Sequence, residues 1–234
     1  KLRKQDGKKQ QETQGIDSSL SVADSSPTFR GDDSLRIVGI GASAGGLEAF
    51  IDFFAAMPPD SGLAFVLVQH LDPTRESLLP EILQRHTAMP VAQVRNGMNV
   101  EPNCVYVIPP HQDLALLHGS LHLIEPIIAD GVRLSIDFFF HSLAQDQAER
   151  AIGIVLSGTG TDGTLGLKAI KEVGGMVMVQ DGLSAKYDGM PSSAVATGLA
   201  DFVMPPGEMP EQLLAYIQPG TKKVEWVLPE FAEM

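Results

Sequence analysis

Short apolar runs that alternate with stretches of helical periodicity constrain the fold of this chain more than any other feature. The alternation begins at Leu35 and continues almost to the end of the 234-residue chain. Runs of this length are typical of strands buried on both faces, and such strands separated by helices indicate a parallel sheet. We therefore predict an α/β fold, a doubly wound, mostly parallel, Rossmann-like sheet with helices on both faces.

The predicted elements can be placed along the chain. Strands are predicted at Arg36–Gly41, Ala64–Gln69, Ile152–Leu156, Met176–Val179 and Asp201–Met204. Helices are predicted at Leu47–Met57, Ser77–Arg85, Ile136–Glu149, Thr164–Val173 and Met209–Ile217, and Pro191 opens another. Between residues 91 and 124, short apolar runs are separated by Asn-Gly, Pro-Pro and Gly-Ser turns. This pattern predicts antiparallel hairpins at one edge of the sheet.

The composition at the two ends of the chain differs from that of the middle. Residues 1–34 are rich in Gln, Ser, Asp and Lys and show no hydrophobic period, so we predict a disordered leader or linker. Residues 35–218 are predicted to form one folded domain. Residues 219–234 are predicted to be a tail or the start of a linker to a further domain.

The charge distribution argues against nucleic acid as a ligand. The chain has a net charge of −12, and basic and acidic residues balance within residues 1–34, so the folded part carries this charge. An acidic body repels phosphate backbones, although solubility alone also explains an acidic surface. No apolar run reaches the ~18 residues of a membrane helix. Because Cys104 is the single cysteine, which suits a reducing compartment, we expect a cytoplasmic protein without membrane insertion.

The stretch "IVGIGASAGG" (residues 37–46) permits two interpretations. From Gly39 it reads G-x-G-x-x-A, a loop that could bind a dinucleotide pyrophosphate. That interpretation needs an acidic residue at the end of the next strand, where the chain has Gln69-His70. From Gly41 it reads G-x-S-x-G, a sharp turn whose glycines would present Ser43 as a nucleophile at the start of a helix.

The nucleophile interpretation finds partners at two other strand ends. His70 ends the second predicted strand, and Asp162 lies in the glycine-rich loop "SGTGTDG" after the strand Ile152–Leu156. The carboxyl ends of parallel strands meet at one edge of a sheet, and neighbouring strands are about 4.8 Å apart. Ser43, His70 and Asp162 could therefore form a Ser-His-Asp triad, which is defined by geometry and not by chain order.

Each of these residues also has a structural explanation. Ser43 could be a small residue in a tight turn, His70 could bond to backbone, and Asp162 could be the N-cap of the helix Thr164–Val173. Their coincidence at three strand ends favours catalysis. The other five histidines show no metal-ligand spacing with one another or with Cys104, so we expect no metal.

At this point the sequence resembles a known family, the catalytic domain of CheB-type chemotaxis protein-glutamate methylesterases. The resemblance runs from about Arg36 to Pro205, nearly the whole predicted domain. It is carried by several collinear motifs: "IVGIGASAGGLEAF", "FVLVQHLDP", "VYVIPPHQDLAL", "SIDFFFHSLA", "GIVLSGTGTDGTLGLKAIKEVGGMVMVQD" and "YDGMPSSAVATGLADFV".

The resemblance implies specific roles for residues of this chain. Ser43 would be the nucleophile, His70 the general base and then acid, and Asp162 the residue that orients His70. Backbone amides of Ala44, Thr159 and Gly160 would form the oxyanion hole, and Met190 would lie near the cleft. The substrate would be a γ-glutamyl methyl ester on a helical receptor, and some family members also deamidate glutamine. No cofactor is implied.

This chain also departs from the family pattern. Chemotaxis methylesterases usually carry an N-terminal receiver domain, whereas only 34 residues precede the predicted sheet here. In this respect the chain resembles CheB/CheR fusion proteins, in which the domain opens a longer chain linked to a receptor methyltransferase and sensor region. Thr159 stands where the family commonly has Met. The alternative hypothesis is a non-catalytic or weakly active regulatory module that binds a receptor or partner.

Overall fold

The computed structural model describes residues 35–69, 77–126 and 133–218. The strands are β1 (Arg36–Ala42), β2 (Leu63–Gln69), β3 (Val91–Gln93), β4 (Met98–Asn99), β5 (Val105–Val107), β6 (Asp113–Leu117), β7 (Ser120–Ile124), β8 (Ile152–Val155), β9 (Met176–Gln180) and β10 (Phe202–Met204). The helices are α1 (Gly46–Ala56), α2 (Leu79–Leu83), α3 (Ser135–Gln147), α4 (Thr164–Glu172), α5 (Gly189–Ala196) and α6 (Met209–Ile217). The predicted leader, 1–34, and tail, 219–234, lie outside the described residues.

Seven strands form one parallel sheet in the order β10-β9-β8-β1-β2-β5-β3. The chain therefore builds outward from β1 in one direction to β2 and β5, and later in the other direction to β8, β9 and β10. The predicted doubly wound α/β fold is confirmed. In such sheets the change of direction opens a crevice at the carboxyl ends of the strands, and here it falls between β1 and β8.

The region between residues 91 and 124 differs in detail from the predicted hairpins. β6 and β7 form the expected hairpin, which joins β4 in a separate antiparallel sheet of three strands. β3 and β5 instead join the main sheet as parallel strands. The physical reason is burial of β5, whose three residues are all buried. A strand that is covered on both faces belongs inside a parallel sheet.

The helix predicted at Ser77–Arg85 is shorter in the structure. Helix α2 comprises five residues, Leu79–Leu83. The Gln84 side chain donates to Met89 O (3.0 Å) and accepts the Val91 N–H (3.0 Å). These bonds draw the following segment against the end of the helix, so the chain turns toward β3.

Two apolar layers cover the main sheet. Helices α1, α2 and α6 pack on one face around Phe53, Phe54 and Phe65, whose rings meet edge to face with centroids 5.1–5.8 Å apart. Helices α3, α4 and α5 pack on the other face together with the small sheet. No helix in the described part of the chain is long and apolar enough to cross a bilayer.

Gly39 and Gly41, the two glycines of the G-x-G pattern, leave space for a packed helix and do not form a ligand-binding loop. Gly39 and Gly41 lie inside β1, on the side covered by α3. A Cβ on Gly41 would lie 2.4 Å from Ile136 Cγ2, and one on Gly39 would lie 2.9 Å from side-chain atoms of α3. Since a dinucleotide loop needs its first glycine at the turn after the strand, this geometry argues against the dinucleotide interpretation. It also corrects our expectation for Gly41, which lies in β1 and does not shape the turn after it.

Candidate active site

The nucleophile turn, residues 43–46, leaves the sheet at the crevice between β1 and β8. Ser43 is the first residue after β1, and its N–H donates to Ser157 O (3.0 Å) in the loop after β8. Its carbonyl accepts the Gly46 N–H (3.0 Å) and the Gln69 side-chain amide (3.2 Å). The backbone of Ser43 is therefore held from both neighbouring strands, while its side chain is half-buried.

A left-handed glycine makes the turn tight enough to start α1 within three residues of Ser43. Gly45 has φ +74°, and a Cβ there would lie 2.6 Å from Ser157 Oγ. The positive end of α1 therefore begins directly beside the serine. Free N–H groups and the dipole at a helix N-terminus stabilise negative charge. The turn places Ser43 where a developing oxyanion would be favoured.

Ser157 ties the nucleophile turn to two other segments. Its side chain is fully buried, and Oγ donates to Ala44 O (2.9 Å) and accepts the Tyr187 N–H (3.0 Å). Its own N–H donates to the Gln180 side-chain carbonyl (2.8 Å). We did not identify Ser157 from the sequence, although it is the polar residue that ends an otherwise apolar run.

The predicted oxyanion residues lie on both sides of the crevice. Ala44 belongs to the nucleophile turn, and Thr159 and Gly160 are exposed in the loop after β8. Within the described part of the chain, none of these three residues donates its backbone N–H to an acceptor. Such N–H groups can bind a ligand oxygen. Gly160 has φ +86°, a conformation that favours glycine.

Met190 lies beneath the same loop. Its N–H donates to Gly158 O (2.8 Å), and its side chain is fully buried. A Cβ on Gly158 would lie 2.2 Å from Met190 Sδ and 3.0 Å from Ser43 Cβ. Met190 therefore packs under the crevice next to the nucleophile turn and supports Gly158 from below.

Asp162 is buried, with 4% of its surface exposed, and its carboxylate faces the N-terminus of α3. Oδ2 accepts the Ile136 N–H (3.0 Å), and Oδ1 accepts the N–H groups of Asp137 (2.9 Å) and Gly163 (2.9 Å). The structural explanation considered for Asp162 in the sequence was the N-cap of α4, but its hydrogen bonds to the N–H groups of a helix go to α3. These backbone N–H groups fix the direction in which the carboxylate points.

His70, the predicted base, lies outside the described residues. The preceding residue, Gln69, is the register partner of Ala42 at the ends of β2 and β1. The structure thus describes Ser43 and Asp162 at one edge of the sheet, and the role of His70 stays a prediction. Among the described residues, no three His, Cys, Asp or Glu side chains are grouped as a metal site would require.

An ion pair borders the nucleophile turn. Lys186 Nζ donates to Glu48 Oε1 at 2.5 Å and links α1 to the segment before α5. This hydrogen bond holds the pKa of Glu48 below its ordinary value and raises the pKa of Lys186. Both side chains are more than half exposed, so the pair adds little to the stability of the fold.

Comparison with known proteins shows what the chain is similar to. The CheB methylesterase family model matches residues 38–213. A protein-glutamate methylesterase/protein-glutamine glutaminase of Geobacter metallireducens is 33% identical over 189 residues, which cover 78% of this chain and 51% of the relative. One of Burkholderia orbicola is 37% identical over 182 residues, with 77% and 54% covered. This chain spans about half the length of these curated relatives.

A solved structure matches this chain over a single domain. The crystal structure of the Thermotoga maritima CheB methylesterase catalytic domain superimposes with a TM-score of 0.71 at 30% sequence identity. The match covers 77% of this chain and 98% of that domain. The family model covers most of β1 and every later strand of the described sheet, and the chain belongs to the CheB methylesterase family.

Proposed function

We propose that this chain is a serine hydrolase that removes methyl groups from glutamyl γ-esters of receptor-like proteins. The observation that carries the proposal is the nucleophile turn, which presents Ser43 at the N-terminus of α1 with its backbone bonded to the loop that leads to Asp162. The names of the relatives support the same reaction.

In the proposed reaction, Ser43 Oγ attacks the ester carbonyl carbon while His70 takes the hydroxyl proton. Asp162 orients His70 in this proposal, and its carboxylate is held in place because both oxygens accept backbone N–H groups of α3. The oxyanion of the tetrahedral intermediate is held by backbone N–H groups of Ala44 and of the loop at Thr159 and Gly160.

Collapse of the intermediate breaks the bond to the methoxy group, which leaves as methanol with a proton from His70. The product is a glutamyl ester of Ser43. Water activated by His70 then attacks this ester and restores both the receptor carboxylate and Ser43. Glutamine presents an amide at the same position, so ammonia would leave in place of methanol. Neither reaction requires a cofactor.

The partner in this proposal is a methylated helical receptor or signalling protein in the cytoplasm. A covalently linked methyltransferase or sensor region is part of the same proposal and rests on the resemblance to CheB/CheR fusion proteins. The −12 net charge supports a protein partner over nucleic acid.

The test is the release of methanol from a receptor fragment that carries isotope-labelled methyl esters on its glutamates. We expect the chain to release labelled methanol and to leave one free carboxylate for each methanol formed. The matched control is the same fragment without esters, from which no methanol can come. Binding of the fragment without methanol release would contradict the proposal and favour the regulatory module.

A further inference from the structure

Near the nucleophile turn, an aspartate at the start of each of the helices α3 and α4 accepts backbone N–H groups at the start of the other helix. Asp162 precedes α4 but accepts N–H groups at the start of α3. In the opposite direction, Asp137 lies in the first turn of α3, and its Oδ1 accepts the Gly166 N–H of α4 at 2.7 Å. Both carboxylates are buried, with 4% and 5% of the residue surface exposed. Each aspartate therefore provides an acceptor for N–H groups that have no partner within the other helix.

We propose that Asp137 is a positioning residue for the reaction, which keeps the Asp162 carboxylate in its orientation by holding α4 against α3. This inference rests on the proposed function, in which Asp162 orients the catalytic base. Asp162 and Gly163 lead directly into α4, whereas the N–H groups of Ile136 and Asp137 belong to α3. A shift of α4 along α3 would therefore pull the carboxylate away from its donors.

Helices α3 and α4 are in close contact, so α4 has little room to shift along α3 while the bond to Asp137 is present. A Cβ on Gly166 would lie 2.4 Å from Phe140 Cβ, so the helices touch at this glycine. Gly163 is also close to α3, since a Cβ there would lie 3.0 Å from Ile136 Cγ2. Apolar packing presses the helices together but is not directional. The hydrogen bond from Gly166 to Asp137 is directional, and it fixes α4 to α3 beyond the bonds of Asp162 itself.

The acceptor atom and the charge of Asp137 can be separated by substitution. Burial raises the pKa of Asp137, and the neighbouring Asp162 raises it further. The Gly166 and Leu165 N–H groups and His141 on the same helix oppose this change. The amide oxygen of asparagine can accept the same Gly166 N–H without the charge.

The experiment compares Asp137→Ala with Asp137→Asn in the 234-residue chain, using a small activated ester. A displacement of about 1 Å at a catalytic group can reduce the rate ~100-fold. We therefore expect Asp137→Ala to reduce kcat roughly 10- to 100-fold with little change in KM. Asparagine should restore kcat to within about threefold of wild type, because it retains the acceptor.

A matched control lies at the other end of α3. Asp146 also accepts a backbone N–H from another segment, that of Gly119 at 3.4 Å, but lies in the last turn of the helix. Asp146→Ala should lower the melting temperature without changing kcat. Should Asp137→Ala fail to fold, Asp137→Ser replaces it, since its hydroxyl is too short to reach Gly166 and the same loss of kcat is expected.

Three results would overturn the inference. They are an unchanged kcat in the folded alanine or serine variant, a loss of kcat in Asp137→Asn as large as in Asp137→Ala, or an equal loss in Asp146→Ala. Failure of the proposed function would be seen separately, because the wild-type chain would then not turn over the ester. A structural role alone would lower the melting temperature and leave kcat of the folded protein intact.

Discussion

Replacement of Ser43 by alanine is expected to reduce kcat for a small ester at least ~10⁴-fold, because the loss of a triad nucleophile leaves only oxyanion stabilisation and binding. The fold should be unaffected. The described contacts that shape the turn come from the Ser43 backbone, through its N–H to Ser157 and its carbonyl to Gly46 and Gln69. Steady-state kinetics and circular dichroism of the purified variant check both parts of this prediction.

The matched control is Ser193→Ala. Ser193 also lies beside the crevice, where its hydroxyl donates to Gly189 O at 2.8 Å and lies 3.3 Å from Gly160 O, but the proposed mechanism gives this hydroxyl no chemical step. Its replacement should leave kcat within a few-fold of wild type. Ester turnover by Ser43→Ala at the wild-type rate would show that Ser43 is not the nucleophile.

The replacement of Asp162 by alanine is expected to reduce kcat ~10³- to 10⁴-fold and to destabilise the fold. It removes the orienting carboxylate and leaves the buried N–H groups of Ile136, Asp137 and Gly163 without their acceptor. A buried group without its hydrogen-bond partner costs about 1–3 kcal/mol, so the free energy of unfolding should fall by at least that amount. Denaturant unfolding measured alongside ester kinetics separates the two effects.

Asp201→Ala serves as the control for Asp162. Asp201 accepts the Val177 N–H at 2.8 Å and binds Lys171 Nζ at 2.7 Å, so its loss should also destabilise the fold. It lies just before β10 and has no role in the proposed reaction. If Asp162→Ala lost stability but kept the kcat of the control, Asp162 would be a helix cap and nothing more.

Much of the main sheet could be predicted from the sequence because its strands are continuous apolar runs. The predicted bounds of β8, β9 and α6 agree with the structure to within a residue at each end. The edge of the sheet was less predictable. β3 and β5 are three residues each, and such short runs do not show whether their partner is a hairpin neighbour or a distant parallel strand.

The residues of the candidate site also differ in whether the sequence predicts them. Ser43 and Asp162 could be identified because each follows a predicted strand in a loop with an unusual residue pattern. Asp137 and Ser157 could not, because their roles depend on how α4 docks on α3 and how the Tyr187 segment returns to β8. The space filled by α3 at Gly39 and Gly41 is likewise visible only after packing, and the same G-x-G letters had suggested a dinucleotide loop.

The most direct test of Ser43 as nucleophile is covalent labelling with a fluorophosphonate, which phosphonylates activated serines. Peptide mapping of the treated chain should find one adduct per chain, on the peptide that carries Ser43. The rate of labelling should match the rate at which ester turnover is lost, and replacement of His70 or Asp162 should slow both. Complete loss of turnover with Ser43 unmodified, or an adduct on Ser157 or Ser193 instead, would contradict the account.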